Sequence, residues 1–509
     1  MGYFLGLDSS TQSLKGLLIN TSNGMISAVI SVSFGNELPE YRSPNGFLPD
    51  EDPKIRHANP LMWLDALDLL FRKMSEARWP MSEIQGISGS AQQHGTVYVN
   101  KQFGELLKDL NPEVSLAEQL RPGLARKSSP IWMDISSGRE CELLREKFGA
   151  RLRKDTGSNA AERFSGPQIM KFARENPSSW AKTDQVHLIS SFLASVLAGE
   201  NMPLDYGDGA GMNLLNLHTM NWDSGIAEFT APELLKKLPR CVPSNSLPGK
   251  LSTYFAKYGL TSKIPITVWS GDNPNSLIGC GGAAEGSAVI SLGTSDTFFG
   301  SLSALSQAPE NYGHVFGNPA GGFMSLICFA NGSLAREQIR KQCKFSWEEF
   351  NRAAETVKPG KCLLLPYFAP ESTPVVPIPG IHANFNLENA TPGQWIRALL
   401  ESQALTMKLH AELKHPVSSI RLTGGASANI LLQQILADVF QAPVYLGESS
   451  ESAALGAALR AANSVEKIPF GVLTEQFCKI QTVIQPSAEQ SSIYDKALIN
   501  YQQLKQQFL

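Results

Sequence analysis

The 509-residue chain lacks both common nucleotide-loop signatures. No Gly-x-x-x-x-Gly-Lys-Ser/Thr loop occurs, and no Gly-x-Gly-x-x-Gly turn, so neither a P-loop enzyme nor a nicotinamide enzyme is supported. Cysteine is scarce and scattered: Cys141, Cys241, Cys280, Cys328, Cys343, Cys362 and Cys478 are odd in number and never at metal-ligand spacings, which predicts buried reduced thiols. Charge of one sign is also missing. Lys and Arg number 44 against 47 Asp and Glu, interleaved to a net −3, so no basic block is available for nucleic acid. No stretch reaches ~18 predominantly apolar residues, so no membrane partner is expected. Tyr3–Leu7 runs directly into Asp8 and a polar turn, not the pattern of a secretory signal, and a reducing cytoplasm is the expected location.

What is present is a globular composition, 42% hydrophobic and 18% charged. The length exceeds one ordinary core and predicts two large domains or three smaller ones, with room for a cleft.

Two segments echo each other. Tyr3–Asp8, a Ser-Ser-Thr-Gln-Ser turn and Leu14–Ile19 read as a β-hairpin, and Val289–Gly300 repeats the plan around Gly293, Thr294 and Ser295. Hydroxyls and backbone amides at such a tip can face an anion, or the tip is a plain solvated turn. The repeat predicts two related halves.

Between the hairpins, Pro60–Met74 has helical spacing, and the strand beginning at Ile84 runs into Gly89-Ser-Ala-Gln-Gln-His94-Gly95. That loop lies where α/β sheets display ligand-binding groups, leaving His94 as either a substrate contact or a structural histidine. Arg163 precedes a helical segment. Asp205–Gly211 reads as a Gly-rich acidic loop with no assigned chemistry. Ile266–Trp269 ends in Ser270-Gly-Asp272-Asn273-Pro274, where Asp272 is an N-cap or a carboxylate held beside an incoming phosphate. Downstream, a helix is predicted from about Trp395 to Leu413, a strand at Ile420–Leu422, then Thr423-Gly424-Gly425-Ala-Ser-Ala-Asn429 and a helix from Ile430 to Phe440. Paired glycines there allow a backbone to approach a flat ligand such as adenosine. A further helix covers Ala453–Ala462.

Together, Ser88-Gly-Ser-Ala-Gln-Gln-His-Gly95, Pro130-Ile-Trp-Met-Asp134, Glu162-Arg-Phe-Ser-Gly166, Ser270-Gly-Asp-Asn-Pro274 and Ser291-Leu-Gly-Thr-Ser-Asp296 resemble the FGGY carbohydrate kinases, which include glycerol, gluconate, ribulose and xylulose kinases, most closely the last group. The resemblance covers nearly the whole chain. It implies an α/β fold of two ribonuclease-H-like (actin-like ATPase) domains, each with a mixed five-stranded sheet, and a cleft between them. The expected division is residues 1–278, holding sugar and catalytic base, and 279–509, gripping the nucleotide. It also implies ATP-dependent phosphorylation of a small sugar, D-xylulose to D-xylulose 5-phosphate, the alternatives being another pentulose or polyol such as ribulose or a pentitol, or a catalytically silent sugar- or nucleotide-binding sensor.

Residue by residue, the resemblance makes Asp272 the catalytic base and assigns Gln93, His94, Arg163 and Asn273 to the sugar. Asp8 and Thr11 would face the phosphates, Asp8 also holding Mg²⁺ through water, with Gly293 and Thr294 opposite. Trp347, Gly424, Gly425 and Asn429 would hold ATP, Trp347 being otherwise a core anchor. Gln93 stands where many bacterial xylulose kinases have Met, and Pro274 where they usually have Ala. Expected partners are the small sugar and ATP, without nucleic acid or membrane, for a monomer or homodimer.

Overall fold

The computed structural model describes residues 2–305, 313–411, 417–447 and 451–508. The chain forms two compact units: Met1–Ala283 with Val315–Gly322 and Ser450–Phe477, and Ala284–His314 with Phe323–Ser449 and Cys478–Leu509.

In unit 1, β1 (Tyr3–Ser9), β2 (Ser13–Asn20) and β3 (Met25–Ser33) form an antiparallel meander, and β4 (Ile84–Ala91) lies parallel to β1 on its other side. The order is β3-β2-β1-β4, continued by short strands at Pro265–Ile266 and Gly249–Lys250, while Ser270–Gly271 also pairs with β4. β1 is almost continuously buried, as its apolar run requires at a sheet centre covered on both faces. The helix Pro60–Glu76 brings Trp63, Leu64, Leu67, Leu70 and Phe71 to the core shared with Leu5, Leu7 and Ile87.

The segment Ser452–Glu466 is a helix packed against β1, β4 and the helix Asp272–Gly279. Two glycines make that approach possible. A methyl group on Gly279 would lie 1.9 Å from the Ser452 carbonyl oxygen, and one on Gly456 1.9 Å from that of Asn275.

Unit 2 repeats the plan with β5 (Ser287–Leu292), β6 (Asp296–Leu302), β7 (Phe323–Phe329) and β8 (Ser419–Thr423). β5 and β6 form the hairpin, β7 extends it antiparallel and β8 runs parallel to β5, giving β7-β6-β5-β8. Beyond β8 lie β9 (Val444–Gly447), parallel, and β10 (Ile480–Ile484), antiparallel. Both sheets exceed the expected five strands because short edge strands extend them. Helices Pro392–His410 and Ile430–Phe440 close over the unit 2 core through Leu399, Leu400, Leu405, Ile435 and Leu436. The first of these starts earlier than the spacing predicts, with Thr391 and Gln394 forming a capping box; the expected end at Leu413 lies outside the described residues.

All seven cysteines are free thiols, four buried and Cys241, Cys328 and Cys343 half-buried. Among the described residues, no helix is long and apolar enough to cross a membrane.

Candidate active site

The register of unit 1 explains why residues distant in sequence meet. Asp8 pairs with Ser90 across β1 and β4, and Ser270 and Gly271 pair with Ser90 and Ala91 across the other side of β4. The carboxyl ends of these parallel strands therefore deliver Asp8, the Gln92–His94 turn and Asp272 to one end of the sheet, the usual ligand position in such folds.

Asp272 is the first residue of its helix and Gly271 occupies the cap position, so the plain N-cap reading does not apply. Its Oδ1 accepts from the Asn273 backbone N–H at 2.9 Å. Burial, reinforced by the charge of Asp8, pushes its carboxyl up to about 7, against the pull of the Asn273 and Gln93 backbone N–H groups. Asp8 is likewise pushed up to about 6 by burial, eased by Ser90 and Lys15. Asp8 Oδ1 is buried with no hydrogen-bond partner. Lys15, opposite Asp8 on β2, is itself engaged by Glu451 at 2.6 Å.

Asn273 Nδ2 donates to Gln93 Oε1 at 2.7 Å and to Asp272 Oδ1 at 3.2 Å. His94 has a left-handed backbone (φ 72°), stacks on Phe164 at 4.4 Å, and its Nδ1 lies 2.9 Å from the Gly211 carbonyl. Burial and then the nearby Arg163 charge depress its pKa to about 3, so the ring is neutral. A carbonyl partner requires the proton on Nδ1, which leaves Nε2 a hydrogen-bond acceptor. Arg163 lies over the Phe164 ring, its guanidinium carbon 5.9 Å from the centroid. At the first hairpin tip, Thr11 Oγ1 accepts from Trp132 Nε1 at 2.9 Å.

Unit 2 carries the other residues. Gly293 and Thr294 form the tip between β5 and β6, where the Gly293 carbonyl accepts from Ser333 N at 3.0 Å. Gly424 adopts φ 89° against the Leu292 backbone, a conformation that favours glycine. Gly425 differs: a methyl group added there would meet nothing within 4 Å. Asn429 caps the helix Ile430–Phe440 by accepting from Leu432 N, and its Nδ2 donates to Asn351 Oδ1 at 2.8 Å. That bond ties the glycine turn to the helix Trp347–Glu355, whose first residue, Trp347, is 46% exposed beneath Arg340. An exposed ring is no core anchor.

The family model for the N-terminal domain of the FGGY family of carbohydrate kinases matches residues 127–279, and that for its C-terminal domain residues 288–465. The chain belongs to the FGGY family of carbohydrate kinases. It is 37% identical to xylulose kinase 2 of Arabidopsis thaliana over 90% of this chain and 87% of that protein. It is 36% identical to the xylulose kinase of Rattus norvegicus over 99% and 97%. The solved xylulose kinase of Rhodospirillum rubrum superposes with a TM-score of 0.83 at 18% identity, covering 99% of this chain and 98% of that one. A glycerol kinase of Plasmodium falciparum reaches 0.78 at 17%, covering 98% of each. The two solved structures establish the mixed α/β, actin-like fold of this carbohydrate kinase.

One site element of the kinase escaped the sequence reading. Asp205–Gly211, assigned no chemistry, is not an open loop: Asp205 caps a short helix, Tyr206–Gly209, which leads into a 3₁₀ turn at Ala210–Met212. This segment supplies the Gly211 carbonyl to His94 and buries Asp208 near Asp272 and Gln93. The available signal was Asp205 itself, three residues before Asp208, a spacing suited to a cap.

Proposed function

We propose that this kinase transfers the γ-phosphate of ATP to D-xylulose, giving D-xylulose 5-phosphate. The sugar follows from the relatives named above, and the chemistry rests on one observation: a half-buried Asp272, with a pKa of about 7, shares a sheet end with Asp8, Asn273 and a neutral His94.

Asp272 accepts, or at least orients, the proton of the attacking hydroxyl, and a pKa near working pH suits that task. Phosphoryl transfer has a loose transition state, so holding the hydroxyl in line matters more than base strength. His94 Nε2, Asn273 and Arg163 hold the sugar, with Gln93 behind Asn273. Asp8 and Thr11 face the phosphates, as do Gly293 and Thr294 of the second hairpin. Gly424, Gly425, Asn429 and Trp347 hold the nucleoside, the open space at Gly425 suiting close backbone approach. Residues 1–278 carry the sugar and base functions, and 279–509 the nucleotide grip.

The residues fit Mg²⁺ held through water: the partnerless Asp8 Oδ1 is a ready acceptor for a metal-bound water. Among the described residues no group of three or more potential ligands forms a metal cage. The ion would neutralise phosphate charge. A cytoplasmic enzyme, monomer or homodimer, accords with the free thiols and balanced charge.

ADP release with Mg-ATP across D-xylulose, L-xylulose, D-ribulose, L-ribulose, glycerol, gluconate and pentitols tests the reading. Stimulation by D-xylulose above the others is expected. Another winning sugar would replace D-xylulose, and no winner would overturn the activity.

A further inference from the structure

We propose that Asp208 is a positioning residue: through the Gln93 amide it orients Asn273, so that Asn273 offers its Oδ1 to the sugar as a hydrogen-bond acceptor. The inference rests on reading this end of the sheet as the sugar site.

Asp208 is 1% exposed and cannot itself be a sugar contact. Ser190 Oγ donates to its Oδ2, and its backbone N–H is held by Asp205 Oδ1 at 2.8 Å. Its Oδ1 and the Nε2 of Gln93 are both buried with no hydrogen-bond partner. They are complementary, an acceptor and a donor, and the Gln93 side chain acts on the Asp208 carboxyl as a hydrogen-bond donor does.

The consequence is a directed chain. Gln93 turns Oε1 toward Asn273 at 2.7 Å, which leaves its Nε2 on the side of the Asp208–Gly211 turn, 3.6 Å from where a methyl group on Gly211 would lie. Asn273 then spends its Nδ2 protons on Gln93 Oε1 and Asp272 Oδ1, which leaves its Oδ1 as an acceptor. Flipping Gln93 would set two amide N–H groups against each other. Flipping Asn273 in turn would set its oxygen against the Asp272 carboxylate. The same turn fixes His94 through the Gly211 carbonyl, and a methyl group on Gly211 would lie 2.9 Å from His94 Nδ1. Asn273, His94 and Asp272 thus all accept, which matches a ligand rich in hydroxyl donors. Burial raises the Asp208 pKa well above its ordinary value, while the Ser190 and Gln93 side chains pull it the other way.

The test compares Asp208→Asn, Asp208→Leu and wild type with whichever sugar the wild type phosphorylates. Asparagine keeps an acceptor for Gln93 and a polar partner for Ser190, so its sugar KM should stay within about three-fold of wild type, while leucine should raise sugar KM by about ten-fold or more and leave ATP KM unchanged. A crystal structure of Asp208→Leu, which needs no substrate, should show the Asn273–Gln93 bond lost. If leucine leaves the bond and sugar KM intact, or raises both KM values equally, the proposal is overturned. Should Asp208→Leu fail to fold, Asp208→Ser, which keeps a hydroxyl for Ser190 and removes the atom facing Gln93, carries the same expectations. The sugar panel on wild type tests the sugar reading separately, since the crystallographic result is independent of it.

Discussion

Replacing Asp272 by asparagine should disable the kinase and stabilise it, and the two effects come from one cause. Burial and the Asp8 charge raise the Asp272 pKa from an ordinary 3.8 to about 7. The folded protein therefore keeps a proton that the unfolded chain has released between about pH 4 and 7. More protons bound to the folded state means stability falls as pH rises through that window and levels off above it. At about 1.4 kcal/mol per pH unit the ceiling is about 4 kcal/mol, and since Asp272 is only partly closed off from water and repelled by a neighbour that is itself titrating, about 2 kcal/mol is expected. Asparagine keeps the oxygen that accepts from the Asn273 N–H and removes the ionisation. In metal-free thermal melts at pH 8 the variant should melt a few degrees above wild type, and at pH 5 the gap should narrow to about a third. Calorimetric binding of sugar and ATP should persist while turnover falls about a hundred-fold or more. A variant no more stable than wild type at pH 8, or a gap independent of pH, would refute the electrostatic argument. Near-wild-type turnover would remove Asp272 from the chemistry.

Gly425→Val should raise ATP KM about ten-fold with sugar KM unchanged, because the methyl groups enter space that is open in the protein but needed by a ligand; equal losses in both KM values on steady-state assay would contradict this. The pH dependence of sugar kcat/KM at saturating Mg-ATP should show an acid limb, activity rising with pH as Asp272 loses its proton, with a midpoint at or below about 7 because the metal favours the ionised form. A flat profile from pH 5.5 to 8 would count against the base role. In unit 2, Arg336 makes two 2.8 Å bonds to the buried Asp296. Asp296→Ala should destabilise that unit by about 3–5 kcal/mol by stranding a buried cation, which chemical denaturation would read; a loss under about 1 kcal/mol would show the arginine finding other partners.

Local features were legible where the chemistry is local. Apolar runs flanking small polar turns announced both hairpins, and the helix Ile430–Phe440 has the limits its spacing predicts. What a sequence hides is the register that joins segments. Asp8, Gln93 and Asp272 meet because β1, β4 and the Ser270–Gly271 strand are neighbours, and no periodicity encodes that adjacency. The Asp205–Gly211 segment looked like a turn because its glycines mask a short capped helix. The paired glycines after β8 read alike, yet Gly424 serves its own backbone and only Gly425 faces open space. Similarly, the helix around Ala453–Ala462 was plain from its composition, while its return to unit 1 depends on a glycine contact with Gly279 that two small residues far apart do not advertise.

The most direct test of the central claim is product analysis: wild type and Asp272→Asn are incubated with Mg-ATP and D-xylulose, and ADP and phosphorylated sugar are quantified together. One pentulose phosphate per ADP is expected from wild type and almost none from the variant, although the variant still binds the sugar. ADP release without a phosphorylated sugar, or equal product from both proteins, would contradict it.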